Sequence, residues 1–381
     1  MTAPLHTPTP PPDAMFGDRC RRLARAAWLA ARTPVLRARG IGRRRASPPL
    51  PTLVSRILAV RTDRIGDMAL TTAALADLKG HFTHARITVL APPAPLALLE
   101  HHPAVDRLVP LTGRHLPPEM AGRFDLAIDF TPDERLLGAR LVGASRAPWR
   151  IGLARAGREV HFTLPGPKSR DDRHLVDLHR DLLAALGIAG SATEPALVVT
   201  PPERAAALAR LAAFGAGSPR VLVHPGAHEE SQRWAPERFA ETIARLTERA
   251  GAACLVAAGP GEEELACRIA ELTPDALALG TLSVRELMAV IAACDLFVGN
   301  NSGPLHVAAA LGVPTVSVMG PTDPRRFAPR GAANSVLRLD LPCSPCRRGR
   351  CWHHTCLLGI DADPVIAAAV AILEGSLARA A

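Results

Sequence analysis

The chain has 381 residues, 48% of them hydrophobic, which is too long for one ordinary core and enough to build two of moderate size. Its +9 charge is unevenly placed: residues 1–50 carry ten arginines against Asp13 and Asp18, a net of +8, leaving +1 for everything after. A near-neutral body excludes a general basic groove for nucleic acid, and no stretch reaches the roughly 18 apolar residues of a membrane span.

Residues 1–52 read as a basic, Pro-rich, largely disordered extension. Inside it RCRRLARAAWLAARTPVLRAR (19–39) predicts a short basic amphipathic helix with Leu23, Ala27 and Trp28 on one side. Two readings stay open: a solvated tail, or peripheral contact with an anionic membrane through residues 19–45. The apolar run AAWLAA is too short for a secretory signal, so the expected location is the cytoplasm, peripheral at the inner membrane if the helix binds lipid.

From residue 55 the pattern turns to α/β. RILAV (56–60) predicts a buried strand, 67–80 a helix closed by Gly80, and RITVLA (86–91), RLVPL (107–111) and FDLAIDF (124–130) further strands. A loop at 165–172 leads to a helix over 173–188. At Val221 the alternation restarts: strand VLVHPGA, helix 236–251, strand 253–259, helices 261–273 and 284–294, strand DLFVG (295–299), helix 304–312, strand TVSVMG (315–320). Two such runs predict two doubly wound parallel sheets.

Three stretches could carry chemistry. In RTDRIGDMALTTAAL (61–75), Gly66 permits a tight turn and Asp67 opens a helix. Asp67 is either a helix cap or a general base, since aspartate ionises near pH ~4 and can accept a proton from a hydroxyl at neutral pH. In HPGAHEESQRWAPERFAE (224–241), Arg233 can grip phosphate oxygens or simply sit at the surface, with Trp234 as a core anchor. In NNSGPLHVAAALGVPTVSVMGPTDP (300–324), Ser302 or Gly303 starts a helix with Pro304 in its first turn, and Gly312 and Pro314 end it. That leaves amides and the positive helix end at a strand's carboxyl edge, as either a structural cap or a diphosphate site.

Together the three stretches resemble glycosyltransferase family 9, the heptosyltransferase family of lipopolysaccharide core assembly, over most of the chain after residue 55. The resemblance rests on Arg61, Asp63, Gly66 and Asp67; on His224–Ala227 with Trp234, Arg238 and Phe239; and on Ser302, Gly303, His306, 308–312, Pro314 and 320–324. It implies a GT-B architecture, two Rossmann-like domains facing a central cleft. The acceptor-binding domain would span 53–200, joined by a C-terminal helix at 362–380, and the nucleotide-sugar domain 219–361. It further implies inversion without a catalytic metal or other cofactor, Asp67 as the base, and a donor site of His224, Gly226, Gln232, Arg233, Asn301, Ser302, Gly303 and His306. The partners it implies are a nucleotide sugar, typically ADP-heptose, and a glycolipid or glycan acceptor.

The chain departs from the family pattern at Asn301, where an aspartate is usual, and at Gln232 and Ala235, where a basic residue and a proline are usual. A different nucleotide sugar therefore stays open, as does a non-catalytic nucleotide-sugar-binding protein of the same fold; an epimerase of this architecture fits the motifs less well. CSPCRRGRCWHHTC places Cys343, Cys346, Cys351 and Cys356 closely enough to wrap one structural zinc or iron ion, two disulfides or free thiols being the rivals. Similar cysteine clusters in related family members favour the metal.

Overall fold

In the computed structural model, residues 12–40, 54–164, 166–190, 193–213, 215, 217–274, 276–331, 333–346 and 349–380 are described. They divide into two compact units between Pro195 and Ala196.

The N-terminal unit is built on short, aliphatic strands that are buried on both faces, the pattern of a parallel sheet covered by helices. In chain order it comprises α1 (Pro12–Gly40), β1 (Arg56–Val60), α2 (Ile65–His81), β2 (Arg86–Ala91), α3 (Pro93–Ala97), β3 (Arg107–Pro110), β4 (Leu126–Asp129), α4 (Leu137–Ala144), β5 (Trp149–Gly152) and α5 (Leu175–Ala184). The sheet is entirely parallel in the order β3-β2-β1-β4-β5. Its core on one side gathers Leu58, Val60, Leu90, Ala127, Leu141 and Phe162. β5 escapes sequence reading because WRIG offers one buried aliphatic, Ile151, between Pro148 and a glycine.

The helix expected over 19–39 is present and longer than predicted, and the expectation of a largely disordered extension is corrected for residues 12–40. They form α1, held on this unit by Arg32 Nη2 donating to Glu134 O (2.8 Å) and Ala156 O (3.0 Å) and by Arg37 paired with Glu159 at 2.9 Å. Leu36 and Thr33 settle against Gly157, whose φ of +84° and missing side chain let the helix approach. The remainder of that expectation, 1–11 and 41–52, lies outside the described residues.

The C-terminal unit comprises α6 (Pro201–Ala213), β6 (Arg220–His224), α7 (Pro236–Ala250), β7 (Ala253–Val256), α8 (Glu263–Leu272), β8 (Leu277–Ala278), α9 (Val284–Ala292), β9 (Leu296–Asn300), α10 (Gly303–Ala310), β10 (Thr315–Val318), α11 (Pro324–Phe327), β11 (Asn334–Leu337), α12 (Thr355–Leu358) and α13 (Ala362–Ala380). Its sheet is also parallel, ordered β11-β10-β9-β6-β7-β8. The break after Pro195 ends the first unit short of the expected residue 200, and the second unit takes in α6 and α13 besides the expected 219–361, so α13 does not join the first. The reason is packing: Val365, Ile366, Ala369 and Leu373 share a core with Trp234, Phe239 and Leu246 of the α7 layer.

Candidate active site

In each sheet two strands distant in sequence lie side by side, β1 with β4 and β6 with β9, and the chain leaves them in opposite directions. The carboxyl ends of such pairs are the usual ligand positions of doubly wound sheets. Both groups of expected site residues occupy such ends.

In the N-terminal unit, Arg61 follows β1 and is buried. Its Nη2 lies 3.1 Å from Asp63 and 3.0 Å from Asp67, while Nη1 donates to Phe130 O beyond β4 and sits 3.0 Å from His179 Nε2. Burial, reinforced by the nearby Arg61 charge, holds His179 well below its ordinary pKa, so it packs as a neutral ring. Asp63 is pushed up to about 6, chiefly by burial, with Arg61 opposing the rise and Asp67 and Asp133 adding to it. Asp67 is the third residue of α2, whose cap position belongs to Arg64. Its carboxylate is therefore oriented by a buried guanidinium and does not cap the helix. At 26% exposure against 9% for Asp63, it is the carboxylate of the pair that solvent or a substrate can reach. Gly66 lies inside the first turn of α2 rather than in a separate turn before it.

Behind this cluster Asp129, the last residue of β4, pairs with Arg158, both side chains wholly buried. Asp129 also accepts Thr131 N at 3.0 Å, and Arg158 donates to Thr131 O and to Asp133 O. The loop beside the carboxylates is thus braced by charge-assisted bonds, the kind that fix geometry most firmly.

In the C-terminal unit, β9 delivers Asn300 and α10 begins at Gly303. Asn300 is buried and structural: its Oδ1 accepts Trp234 N at 3.0 Å and its Nδ2 donates to Pro225 O at 2.6 Å, tying the loop after β6 to the end of β9. Asn301 Oδ1 and Ser302 Oγ, by contrast, are buried without a hydrogen-bond partner. Ser302 is the cap residue of α10, in extended conformation, yet its hydroxyl makes no cap bond. Unpaired buried oxygens cost free energy unless a ligand satisfies them. They stand beside the amide-rich positive end of a helix, an arrangement suited to an anion with hydroxyl or oxyanion partners. His306, one turn on, is buried in the same helix.

The loop after β6 supplies the rest. His224 is buried, stacks on Phe297, and lies 3.8 Å from Glu262; burial lowers its pKa while the Glu262 charge opposes. A Cβ at Gly226 would land 1.9 Å from Glu262 Oε2, so a larger residue there would displace the Glu262 carboxylate. Gln232 Nε2 donates to Thr322 Oγ1 at 2.9 Å, joining this loop to the one after β10. Arg233 is half-buried, donates to Ala227 O at 2.9 Å and sits 3.4 Å from Glu262. The structure thus brings His224, Gly226, Gln232, Arg233, Asn301, Ser302, Gly303 and His306 onto one edge of one sheet, with Asp67 on the other unit.

Sequence reading missed Glu262, which accepts Gly259 N at 3.1 Å and organises His224, Gly226 and Arg233. Its signal was GPGEEE at the end of β7, a strand-to-helix turn with glycines on the ligand edge. Arg61, Asp63 and Asn300 lie within the motifs, but their roles come from contacts that the sequence does not show.

The cysteine loop folds beside the same edge. Ser344 Oγ donates to Gly320 O at 2.7 Å and Cys346 N to Pro321 O at 3.1 Å, and a side chain on Gly320 would meet Cys356 Sγ. The buried Cys356 thiol is pushed up to about 11, first by burial and then by the neighbouring Cys346, Cys351 and Cys343. Four soft donors thus lie near one another, but among the described residues no three His, Cys, Asp or Glu side chains converge closely enough to hold an ion. The expected tetrahedral cage is not formed in this arrangement. His354, which adopts a positive φ of 45°, and Trp352 line a shallow cavity with Cys351 of about 360 Å³.

The profile of Glycosyltransferase family 9 (heptosyltransferase) matches residues 119–356. Lipopolysaccharide heptosyltransferase 3 of Escherichia coli is 27% identical over 340 residues, covering 82% of this chain and 97% of the relative. The structure of E. coli ADP-heptose lipopolysaccharide heptosyltransferase II superposes with a TM-score of 0.70 at 23% identity, covering 84% of this chain and 99% of that one. The iron-containing dodecameric glycosyltransferase TibC from enterotoxigenic E. coli H10407 gives 0.54 at 14% identity, covering 86% and 77%. These likenesses show the fold, two Rossmann-like units of the GT-B class.

Proposed function

Because the chain belongs to glycosyltransferase family 9, the heptosyltransferase family, we propose that this glycosyltransferase moves a heptose from ADP-heptose, with inversion, onto a hydroxyl of a lipopolysaccharide-core or related glycan acceptor. The observation that carries the reading is the pair of unpartnered buried oxygens, Asn301 Oδ1 and Ser302 Oγ, at the amino end of α10. Names of relatives support the donor and the acceptor class.

Asp67 takes the proton of the acceptor hydroxyl as that oxygen bonds to the anomeric carbon. The bond from that carbon to the diphosphate oxygen breaks, its electron pair leaves with ADP, and Asp67 later returns the proton to solvent. Arg61, 3.0 Å away, keeps the carboxylate aimed. The amides at the start of α10, with Arg233, stabilise charge growing on the diphosphate, and such preorganised donors supply the largest share of catalysis in many enzymes. Asn301, a neutral amide, suits sugar hydroxyls.

Purified chain given ADP-heptose and a core acceptor is expected to release ADP. Asp67→Asn is expected to lower turnover by about 10²–10⁴-fold with donor affinity nearly kept. Donor binding without ADP release from any nucleotide sugar would leave the non-catalytic binder standing. Full turnover by the variant would remove Asp67 from the base role.

The four thiols suit a thiophilic ion, zinc or iron, held for structure and taking no part in the chemical step; TibC's iron supports this. Binding would draw the sulfurs of Cys343, Cys346, Cys351 and Cys356 together around the ion. Elemental analysis of reduced, purified protein is expected to find about one zinc or iron per chain, falling when Cys343 and Cys346 are both changed to serine. Absence of both metals in the wild type would end that reading. The proposed use of a nucleotide sugar supports a reaction on the cytoplasmic side.

A further inference from the structure

Among its described side chains, α1 meets the N-terminal unit along one flank. Leu29, Thr33 and Leu36 face the unit, and Arg25, Arg32 and Arg37 reach Glu134, Ala156 O and Glu159. At about 100° per residue, the flank from Trp28 round to Leu23 carries Trp28, Val35, Ala24, Ala31, Ala38, Ala27, Pro34 and Leu23 in angular order, a stripe roughly 140° wide. Every one is exposed, with Trp28 at 56%, Val35 at 51% and Leu23 at 60%. The Arg32 guanidinium, which also reaches Glu134 O and Ala156 O, lies 4.3 Å from the centre of the Trp28 ring, and the ring still keeps more than half of its surface exposed. An apolar stripe this broad is too large to be incidental on a soluble surface.

What covers it is indicated by charge. Over α1 the sequence has seven arginines, at 19, 21, 22, 25, 32, 37 and 39, against Asp13 and Asp18 near its start, a net of +5. A protein groove would be met by a more evenly mixed rim, whereas a strongly cationic helix with an apolar face and a tryptophan matches an anionic bilayer surface. No described helix is long and apolar enough to cross a membrane, so the contact would be in the plane of the interface.

We propose that α1 is an interfacial anchor, its Trp28–Val35 stripe lying among the acyl chains of an anionic membrane and its opposite flank gripping the N-terminal unit. The grip falls on a particular place. Glu134, which accepts Arg25, adjoins Asp133 and Arg135, and Arg135 pairs with Asp133 at 2.9 Å and stands 3.9 Å from Asp63, the neighbour of Asp67. Anchoring α1 therefore sets the carboxylate edge beside the lipid surface. The consequence that the acceptor is taken from the membrane as a lipid-linked glycan rests on the transferase reading; the anchoring itself does not.

The test is flotation of the full-length chain with phosphatidylglycerol–phosphatidylcholine vesicles and with phosphatidylcholine vesicles alone, without nucleotide sugar. The wild type is expected to float with the anionic vesicles, and the double variant W28E/V35E, which leaves the ion pairs to Glu134 and Glu159 in place, to lose at least about tenfold in bound fraction. The single variant V35E and an unchanged melting curve control for folding. Equal flotation of wild type and variant, or equal binding to uncharged vesicles, would overturn the proposal, and so would a concentration-dependent dimer that the double variant dissolves, since a second copy would then be the occupant. Vesicle binding with no transfer activity would count against the transferase reading alone.

Discussion

Asp63 shares one buried guanidinium with Asp67, and the two carboxylates differ in how much water they keep. The less exposed Asp63 binds its proton up to about pH 6 in the folded chain, against an ordinary value of 3.8. Between those values the folded state holds more protons than the unfolded one, so stability falls as pH rises from about 4 to about 6 and this contribution is flat above. Asp63→Asn removes the titration. Its melting temperature relative to wild type is expected to climb across that window and level off by pH 7; a constant difference from pH 4 to 8 would refute the assignment. The single-residue tasks were only partly legible in the sequence. Asp67 announced itself by its place after a strand, but whether it capped the helix or faced outward depended on Arg61, whose partners come from residues 63 to 179. Glu262 was invisible as a site residue because its importance lies in contacts with His224, Gly226 and Arg233, 29 to 38 residues away along the chain.

At the scale of elements, α9 and α10 both begin with serine and do opposite things with it. Ser283 forms a reciprocal capping box with Glu286, while Ser302 caps nothing. Ser283→Ala should therefore cost about 1 kcal/mol, the usual value for a lost cap. Ser302→Ala should cost less than about 0.5 kcal/mol, since no cap bond is broken, yet weaken ADP binding about tenfold, the value of a bond to a charged oxygen. Thermal melts and calorimetric titration with ADP separate the two. A large stability loss at Ser302 with unchanged ADP affinity would return it to an ordinary cap. The pattern of strand followed by SG and a proline-led helix was plain in the sequence and fell within two residues of α10 as observed. What it could not tell was where the hydroxyl went. Elements with few aliphatics, such as β5 and β11, left no pattern to read; the helix of α1 was legible over 19–39, but its extension back to Pro12 and its seat on the unit depend on partners more than a hundred residues distant.

For the whole molecule, the composition predicted two cores and two cores are present, but the sequence could not assign α13 to one of them. Its run ADPVIAAAVAILEGSL is apolar on nearly every side, so periodicity gives no direction in which it must pack. The observed choice rests on Val365, Ile366 and Leu373, all buried in the C-terminal core. It is reinforced by pairs from Arg238 to Asp361 at 2.6 Å and Arg245 to Asp363 at 3.1 Å. Burying three such side chains contributes roughly 5–9 kcal/mol, comparable to the entire stability of a domain. The exposed ion pairs add little beside that. A fragment of residues 196–381 should accordingly melt cooperatively and bind ADP with the affinity of the full chain, because every proposed donor residue lies on it. The shorter fragment 196–361 should not fold, and residues 54–195 should fold without α13. Circular dichroism melts of the three fragments, with ADP added to the first, decide the matter. If 196–361 folded and 54–195 required the helix, α13 would belong to the acceptor unit, and the packing described for Trp234 and Phe239 would be the wrong account of this chain.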